Sequence, residues 1–563
     1  MPVLNKLLAG LALALPLVLA AAPRAERPAQ GLIVRMAADA GEADWQSLQQ
    51  AAGLQGRAMR ERGPRSRVIG ADRVLRGAEA RELARRLRSQ PGVAWVEPNT
   101  RERRLQAVVP DDPDFTAGLQ WWLRPATGSN GNAIEDRLRG VGGFQTGWIT
   151  TTGSADSVIA VLDTGITTHP ELTDRVIVGR DFVSEVEYAN DGDGRDADAS
   201  DPGDWVSAAD QSGNAALFGD CELEDSSWHG SVIAGQLVAA TDNATRVAAM
   251  QWAGRVLAVR VAGKCGATVA DIVDGMRWAA GLPVTGAPIN PNPARVVTVS
   301  FGGSASCSAA YQEAIDDLRA AGAVVVAAAG NEHGGVLRPA NCDGVIGVGA
   351  VNRDGFKTTY SNFGPELVIT TVGGDPGGDG RWGSLLGDSG LLTLNNDGTT
   401  APGAAAYAYV FGSSFSTPQV AGALGLMLAA RPSLSAAQLI DGLRLSARPH
   451  VTSPVIGACS SANPGRCICS ASTCGAGLLD VPEALRYASD PSSYSAPART
   501  GAVIDNAEVR SAAALGADRP ANSGSDDDDE DSGISGGALG WPWLAALWLA
   551  VGAVWALRRR RRA

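Results

Sequence analysis

Lysine is almost missing from this chain. Lys6, Lys264 and Lys357 are the only lysines among 48 basic residues. The bias is one of composition and points to no function. A basic surplus is missing too: the net charge is −12 and the isoelectric point about 5.0. That excludes non-specific binding to nucleic acid, and no nucleic-acid partner is expected. Cysteine is absent before Cys221, so no lipobox cysteine follows the apolar N-terminus. Zinc spacing is absent among the eight cysteines: Cys467 and Cys469 form a C-x-C pair, and the four histidines stand apart from it. Gly 69 and Pro 30 show no collagen period, so they describe loops rather than a fibre.

What is present is apolar material for large cores. Hydrophobic residues make up 45% and charged residues 19% of 563, which excludes a wholly disordered protein. That length allows about two to four domains. Residues 1–22 read as a secretory signal peptide: Lys6, an apolar run from Leu7, and small residues Ala20–Ala22 for cleavage. Export makes paired disulfides the better reading of an even cysteine count. Residues 23–106 carry 17 Arg against 10 Asp plus Glu, so the acidic balance lies in the centre of the chain. A basic front beside an acidic centre suggests two pieces that dock. Within the front, strands are expected at Gly31–Arg35 and Val93–Glu97, around an amphipathic helix at Ala78–Ser89.

Residues 107–487 alternate apolar runs with helical stretches. Val158–Leu162, Val256–Val259, Val296–Val299 and Ala323–Ala329 predict buried strands. Ile272–Ala280, Ala309–Ala320 and Ser416–Ala430 predict helices. Near-continuous apolar strands separated by helices imply an α/β fold, a parallel sheet covered on both faces. Its ligand site is expected at the carboxyl ends of the strands. Residues 488–537 are rich in Ser, Ala, Pro and Gly and include the acidic run Asp526–Asp531, which reads as a solvated linker. Residues 538–557 are apolar with four Trp, and Arg558–Arg562 follow. About 20 such residues can span a bilayer, with the Arg block on the cytoplasmic side.

Asp163 ends the first central strand, in V-I-A-V-L-D-T-G-I. A carboxylate there can orient a histidine. His229 lies in S-W-H-G-S-V-I-A-G, at an expected helix start, and can take a proton from a hydroxyl. Ser414 lies in G-S-S-F-S-T-P-Q-V-A-G, at the head of a helix whose N-terminus favours developing negative charge. Asn331 follows A-A-A-G after a strand and can donate its amide to an oxyanion. Each residue alone is a weak signal. The chain order Asp, His, Ser is that of subtilisin and differs from those of chymotrypsin and the α/β-hydrolases.

At all four motifs, over about residues 110–487, the sequence resembles the subtilisin-like serine peptidases. R-V-A-G-K-C-G, W-A-A-G-L-P-V and P-A-N-C resemble secreted proteobacterial members. The resemblance implies a secreted serine endopeptidase. In it Asp163 is the acid, His229 the general base, Ser414 the nucleophile and Asn331 the oxyanion donor. Ser300-Phe301-Gly302-Gly303 matches the strand that pairs with substrate, and Ala328–Gly330 one wall of the specificity pocket. Residues 23–106 resemble an inhibitory propeptide, so self-processing, protein or peptide substrates and a monomer are expected. Departures are H-G-S-V-I-A-G for H-G-T-H-V-A-G and G-S-S-F-S-T-P-Q for G-T-S-M-A-x-P-H. They keep open a non-catalytic binding protein of this fold; a second rival is a narrow maturation protease for surface proteins. With sequence grouping, the resemblance implies bridges Cys221–Cys265 and Cys307–Cys342. Cys459, Cys467, Cys469 and Cys474 then pair among themselves.

Asp191, Asp193, Asp196, Asp198, Asp201 and Asp204 crowd one stretch. Such charges repel unless a hard cation offsets them. With Asp191 as position one, position six is Asp196 and position twelve Pro202, so this is no EF-hand. The resemblance makes structural calcium the expected occupant. The tail, Gly536-Gly537 before an apolar span and an Arg block, resembles the GlyGly-CTERM sorting signal. That implies cleavage by a rhomboid-type protease and a location at the cell surface or outside it, with a transient or permanent anchor.

Overall fold

The computed structural model describes residues 29–516, apart from residues 39, 54–58, 62, 64, 76, 101–107, 129, 132–133 and 377–384. The expected signal peptide at 1–22 and the tail beyond residue 516 lie outside the described residues. Two compact units divide between Leu105 and Gln106.

The first unit is α/β. Strands β1 (Ala29–Met36), β2 (Met59–Glu61), β3 (Ser66–Leu75) and β4 (Val93–Thr100) form an antiparallel sheet in the order β2-β3-β1-β4. Helices Glu42–Ala52 and Gly77–Arg88 complete it. Leu32 and Val34 alternate onto the buried face of β1, where Trp45, Leu48, Leu83 and Leu87 meet them. The second helix sits one residue before its expected span.

The second unit is built on seven parallel strands. They are β5 (Val158–Asp163), β6 (Val176–Asp181), β7 (Arg255–Arg260), β8 (Val296–Val299), β9 (Val324–Ala328), β10 (Ile346–Val351) and β11 (Leu367–Val372). The sheet order is β11-β10-β9-β8-β5-β7-β6. The four runs read from sequence are β5, β7, β8 and β9. Their unbroken Val, Ile, Leu and Ala content follows from burial on both faces. Chain order reverses at β5, which lies between β8 and β7, so a crevice opens at the carboxyl ends of β5 and β8. An antiparallel hairpin of β12 (Leu391–Asn396) and β13 (Ala405–Val410) was not legible in the sequence.

Helix Ser413–Ala430 is apolar all round, and sixteen of its eighteen residues are buried. Such a helix belongs inside a fold. Pro418 lacks the N–H that would bond the carbonyl of Ser414. That carbonyl instead accepts from Ser300 Oγ at 3.3 Å. The missing backbone bond thus ties the helix head to the end of β8.

Four disulfides close: Cys221–Cys265, Cys307–Cys342, Cys459–Cys467 and Cys469–Cys474. One expectation is corrected. Residues 488–516, read as part of a solvated linker, stay packed on this unit. Ile504, Val509 and Ala512 are fully buried in the main core, and helix Ala507–Leu515 is capped by Asn506, whose side chain accepts from Val509 N–H at 3.0 Å. Three anchors among Ser, Ala and Pro are too sparse to show periodicity. Among the described residues no helix is long and apolar enough to cross a membrane. The apolar span 538–557 lies outside them.

Candidate active site

The crevice holds the four residues singled out by sequence. Asp163 closes β5, and its Oδ1 accepts the N–H of Thr164 at 2.9 Å. His229 opens helix His229–Val238, and its Nδ1 lies 2.8 Å from Asp163 Oδ1. That bond leaves Nε2 as the ring nitrogen available to a hydroxyl. Trp228, just before the helix, takes a left-handed backbone (φ 52°) that turns the chain into it. The His229 ring lies between Phe301, centroids 5.7 Å apart, and Phe415 at 5.2 Å. These contacts help to bury the ring. Burial opposes the imidazolium, but the charge and hydrogen bond of Asp163, with the charges of Asp204 and Asp201, outweigh it and raise the His229 pKa.

Ser414 stands in the first turn of the buried helix. Its hydroxyl donates to the Ser300 carbonyl at 3.3 Å. For the hydroxyl to give its proton to a base, that bond has to be exchanged for one to a ring nitrogen. The preceding turn is fixed on several sides. Gly412 N–H reaches the Gly373 carbonyl and Tyr360 Oη, each at 3.0 Å. Ser413 N–H donates to Asn331 Oδ1 at 2.9 Å, and Ser413 Oγ accepts from Gly330 N–H at 3.1 Å. With Oδ1 engaged, the Asn331 amide turns Nδ2 away from Ser413 as a free donor. Gly412 carries φ 146°, and a Cβ there would lie 3.8 Å from that Nδ2.

The two departures are absorbed by packing. Val232 replaces the second histidine and is buried, and Ser231 Oγ accepts Thr167 N–H at 2.8 Å. Phe415 is buried against His229.

The expected substrate strand Ser300–Gly303 continues from β8, and Gly330 follows β9 beside it. Gly303 is not free to pair: its N–H donates to the Arg338 carbonyl at 3.1 Å and its carbonyl accepts Arg338 N–H at 3.2 Å.

The six-aspartate metal site is also corrected. Among the described residues no three of these carboxylates gather within 4.8 Å. Asp191 accepts from Arg260 Nη1 at 2.6 Å, and the same guanidinium binds Asp181, so an internal cation supplies the charge. Asp193 is exposed. Asp196 and Asp198 accept backbone N–H groups two residues on, from Asp198 at 2.8 Å and Ser200 at 2.9 Å. Asp201 and Asp204 turn to the active site. Asp201 Oδ2 accepts from Thr164 Oγ1 at 2.6 Å, and Asp204 accepts from Ser227 N–H at 2.7 Å and Oγ at 2.6 Å. As placed, these six carboxylates are not gathered into one ligand set.

A buried pair of acids elsewhere was missed by sequence. Asp112 and Glu171 are almost fully buried. Asp112 Oδ1 has no hydrogen-bond partner. Glu171 accepts from Tyr407 Oη at 3.1 Å and Asn243 Nδ2 at 3.3 Å. Burial raises both carboxyl pKa values, and their mutual repulsion adds to that of Glu171. Buried anionic oxygens, one of them orphaned, are the chemistry of a hard-cation site. Fifty-nine positions apart, the two acids form no local motif.

A strand-end aspartate on a histidine, facing a serine at the head of a buried helix on this seven-stranded parallel sheet, defines the subtilisin-like fold. The model of the Subtilase family matches residues 154–477, more than half of the chain. The chain belongs to the subtilase family. It is 37% identical over 424 residues to an extracellular protease of Xanthomonas campestris pv. campestris, covering 75% of this chain and 64% of the relative. It is 33% identical over 389 residues to an extracellular basic protease of Dichelobacter nodosus, covering 68% and 58%. The matched region thus spans less than two thirds of either relative's length. A solved protease structure from Pseudoalteromonas arctica PAMC 21717 superposes with a TM-score of 0.56 at 36% identity, covering 68% of this chain and all of that one.

Proposed function

We propose that the chain is an exported serine endopeptidase that cleaves protein or peptide substrates through Asp163, His229 and Ser414. The observation that carries this is the Asp163–His229 bond of 2.8 Å beside the Ser414 turn. Asp163 fixes the tautomer with the proton on Nδ1, so Nε2 is the base. Ser414 Oγ gives its proton to Nε2 as it attacks the peptide carbonyl carbon. The new oxyanion faces Asn331 Nδ2 and the backbone at the helix head. His229 then protonates the leaving amine, which departs and leaves an acyl-enzyme. Water, deprotonated by the same Nε2, releases the second product and restores Ser414. The extracellular proteases among the relatives support export.

Residues 23–106 act in this reading as an inhibitory propeptide that Ser414 itself severs near residues 104–110. The tail acts as an address cut near Gly536-Gly537 by a rhomboid-type protease. Calcium, when bound, would be held by Asp112 and Glu171 and would offset their buried charge. It takes no part in the chemistry.

The test is peptide hydrolysis by purified Ser414→Ala protein. The expected result is loss of hydrolysis, with the propeptide still joined. Substantial hydrolysis would defeat the assignment.

A further inference from the structure

The two expected faces of the substrate cleft leave neighbouring strands: Ser300–Gly302 from β8 and Ala328–Gly330 from β9. The segment Val336–Arg338 runs between them. Leu337 N–H donates to the Ala329 carbonyl at 3.0 Å, and Arg338 pairs with Gly303 through both of its backbone groups. The segment is therefore fixed to one face through Leu337 and to the other through Arg338. The Leu337 side chain touches both faces. A Cβ added to Gly330 would lie 2.6 Å from Leu337 Cγ. One added to Gly302 would lie 3.1 Å from Leu337 Cβ and 3.3 Å from its Cδ1. Both faces are glycine where the leucine meets them, and at Gly330 the same point is crowded further by Asn362 Nδ2 at 2.4 Å and Glu332 Oε2 at 2.7 Å. Leu337 is part-exposed and belongs to neither buried core, although its neighbour Val336 does. Its methyl groups thus fill a gap that opens toward the crevice.

We infer that Leu337 closes the slot between Gly302 and Gly330 to large side chains, so that the peptidase cleaves after small residues such as alanine. This deepens the proposed function and rests on it. An aromatic side chain entering the slot would have to displace a leucine whose backbone is pinned on both sides, and overpacking of that kind is disfavoured. One or two methylene groups in a closed pocket change discrimination by about ten- to a hundredfold.

The experiment uses the mature enzyme, with active molecules counted by reaction of Ser414 with a fluorophosphonate. Two fluorogenic peptides are compared that differ only in alanine or phenylalanine before the cleaved bond. The wild type is expected to favour alanine in kcat/KM by at least about tenfold. Leu337→Gly, with Leu337→Ala as a milder second variant, is expected to move that ratio toward phenylalanine. A wild type that cleaves after phenylalanine as well as after alanine overturns the inference, without any variant having to fold. So does a ratio that neither variant moves. A protein that hydrolyses neither peptide and does not react at Ser414 overturns the function itself, a distinguishable outcome.

Discussion

Asn331 offers a perturbation whose two possible roles separate. Its Oδ1 accepts the N–H of Ser413 at 2.9 Å, next to the nucleophile. Its Nδ2 is the group assigned to the oxyanion. Asn331→Ala removes both, so loss of activity alone would not tell positioning from catalysis. Asn331→Asp keeps an oxygen for Ser413 N–H, has nearly the same shape, and cannot donate when ionised. Loss of one oxyanion donor costs about 3–4 kcal/mol, or two to three orders of magnitude in kcat. Because the interaction strengthens only as the carbonyl oxygen gains charge, KM should change little. The assay is steady-state hydrolysis of a fluorogenic peptide, with active sites titrated. Both variants are expected to lose kcat to a similar extent. An aspartate variant within a few-fold of wild type would refute the reasoning and leave Asn331 a mere anchor of the turn.

Three further outcomes are expected. His229 must be neutral to act as a base, and its pKa is raised, so the fall of kcat/KM on acidification should begin above the ordinary imidazole range near 6.5. A pH–rate profile with its acid limb below that range would contradict the arrangement. Excess chelator should lower the melting temperature of inactive Ser414→Ala protein, and Asp112→Asn should blunt that response while Asp193→Asn leaves it intact; a response that follows Asp193 would restore the acidic loop as the metal site. Replacing Cys307 and Cys342 together by serine should cost about 3–4 kcal/mol for a loop of 35 residues, read from urea melts of the same inactive protein.

Much of the site was legible because each of its residues sits in a stretch of chain whose composition dictates local structure. Asp163 ends an unbroken apolar run, and such a run forms a strand buried on both faces. Ser414 precedes an apolar stretch long enough to be a buried helix. What escaped were features made by distant parts of the chain. Asp112 and Glu171 come within electrostatic reach of each other only in the folded chain. Local crowding misled at Asp191–Asp204, because the cation that neutralises Asp191 comes from β7, as Arg260. The hairpin β12–β13 was hidden by polar residues and glycine-rich flanks. Residues 488–516 were hidden because Ile504, Val509 and Ala512 anchor them too sparsely to make a period.

The central claim is that Ser414 is an activated nucleophile. The direct measurement is mass spectrometry of the mature protein after exposure to a fluorophosphonate, with wild type, His229→Ala and Ser414→Ala side by side. One adduct is expected on the wild type, mapped to the peptide containing Ser414. The reaction should be strongly slowed in His229→Ala and absent in Ser414→Ala. An unlabelled wild type, or an adduct on another residue, would contradict it.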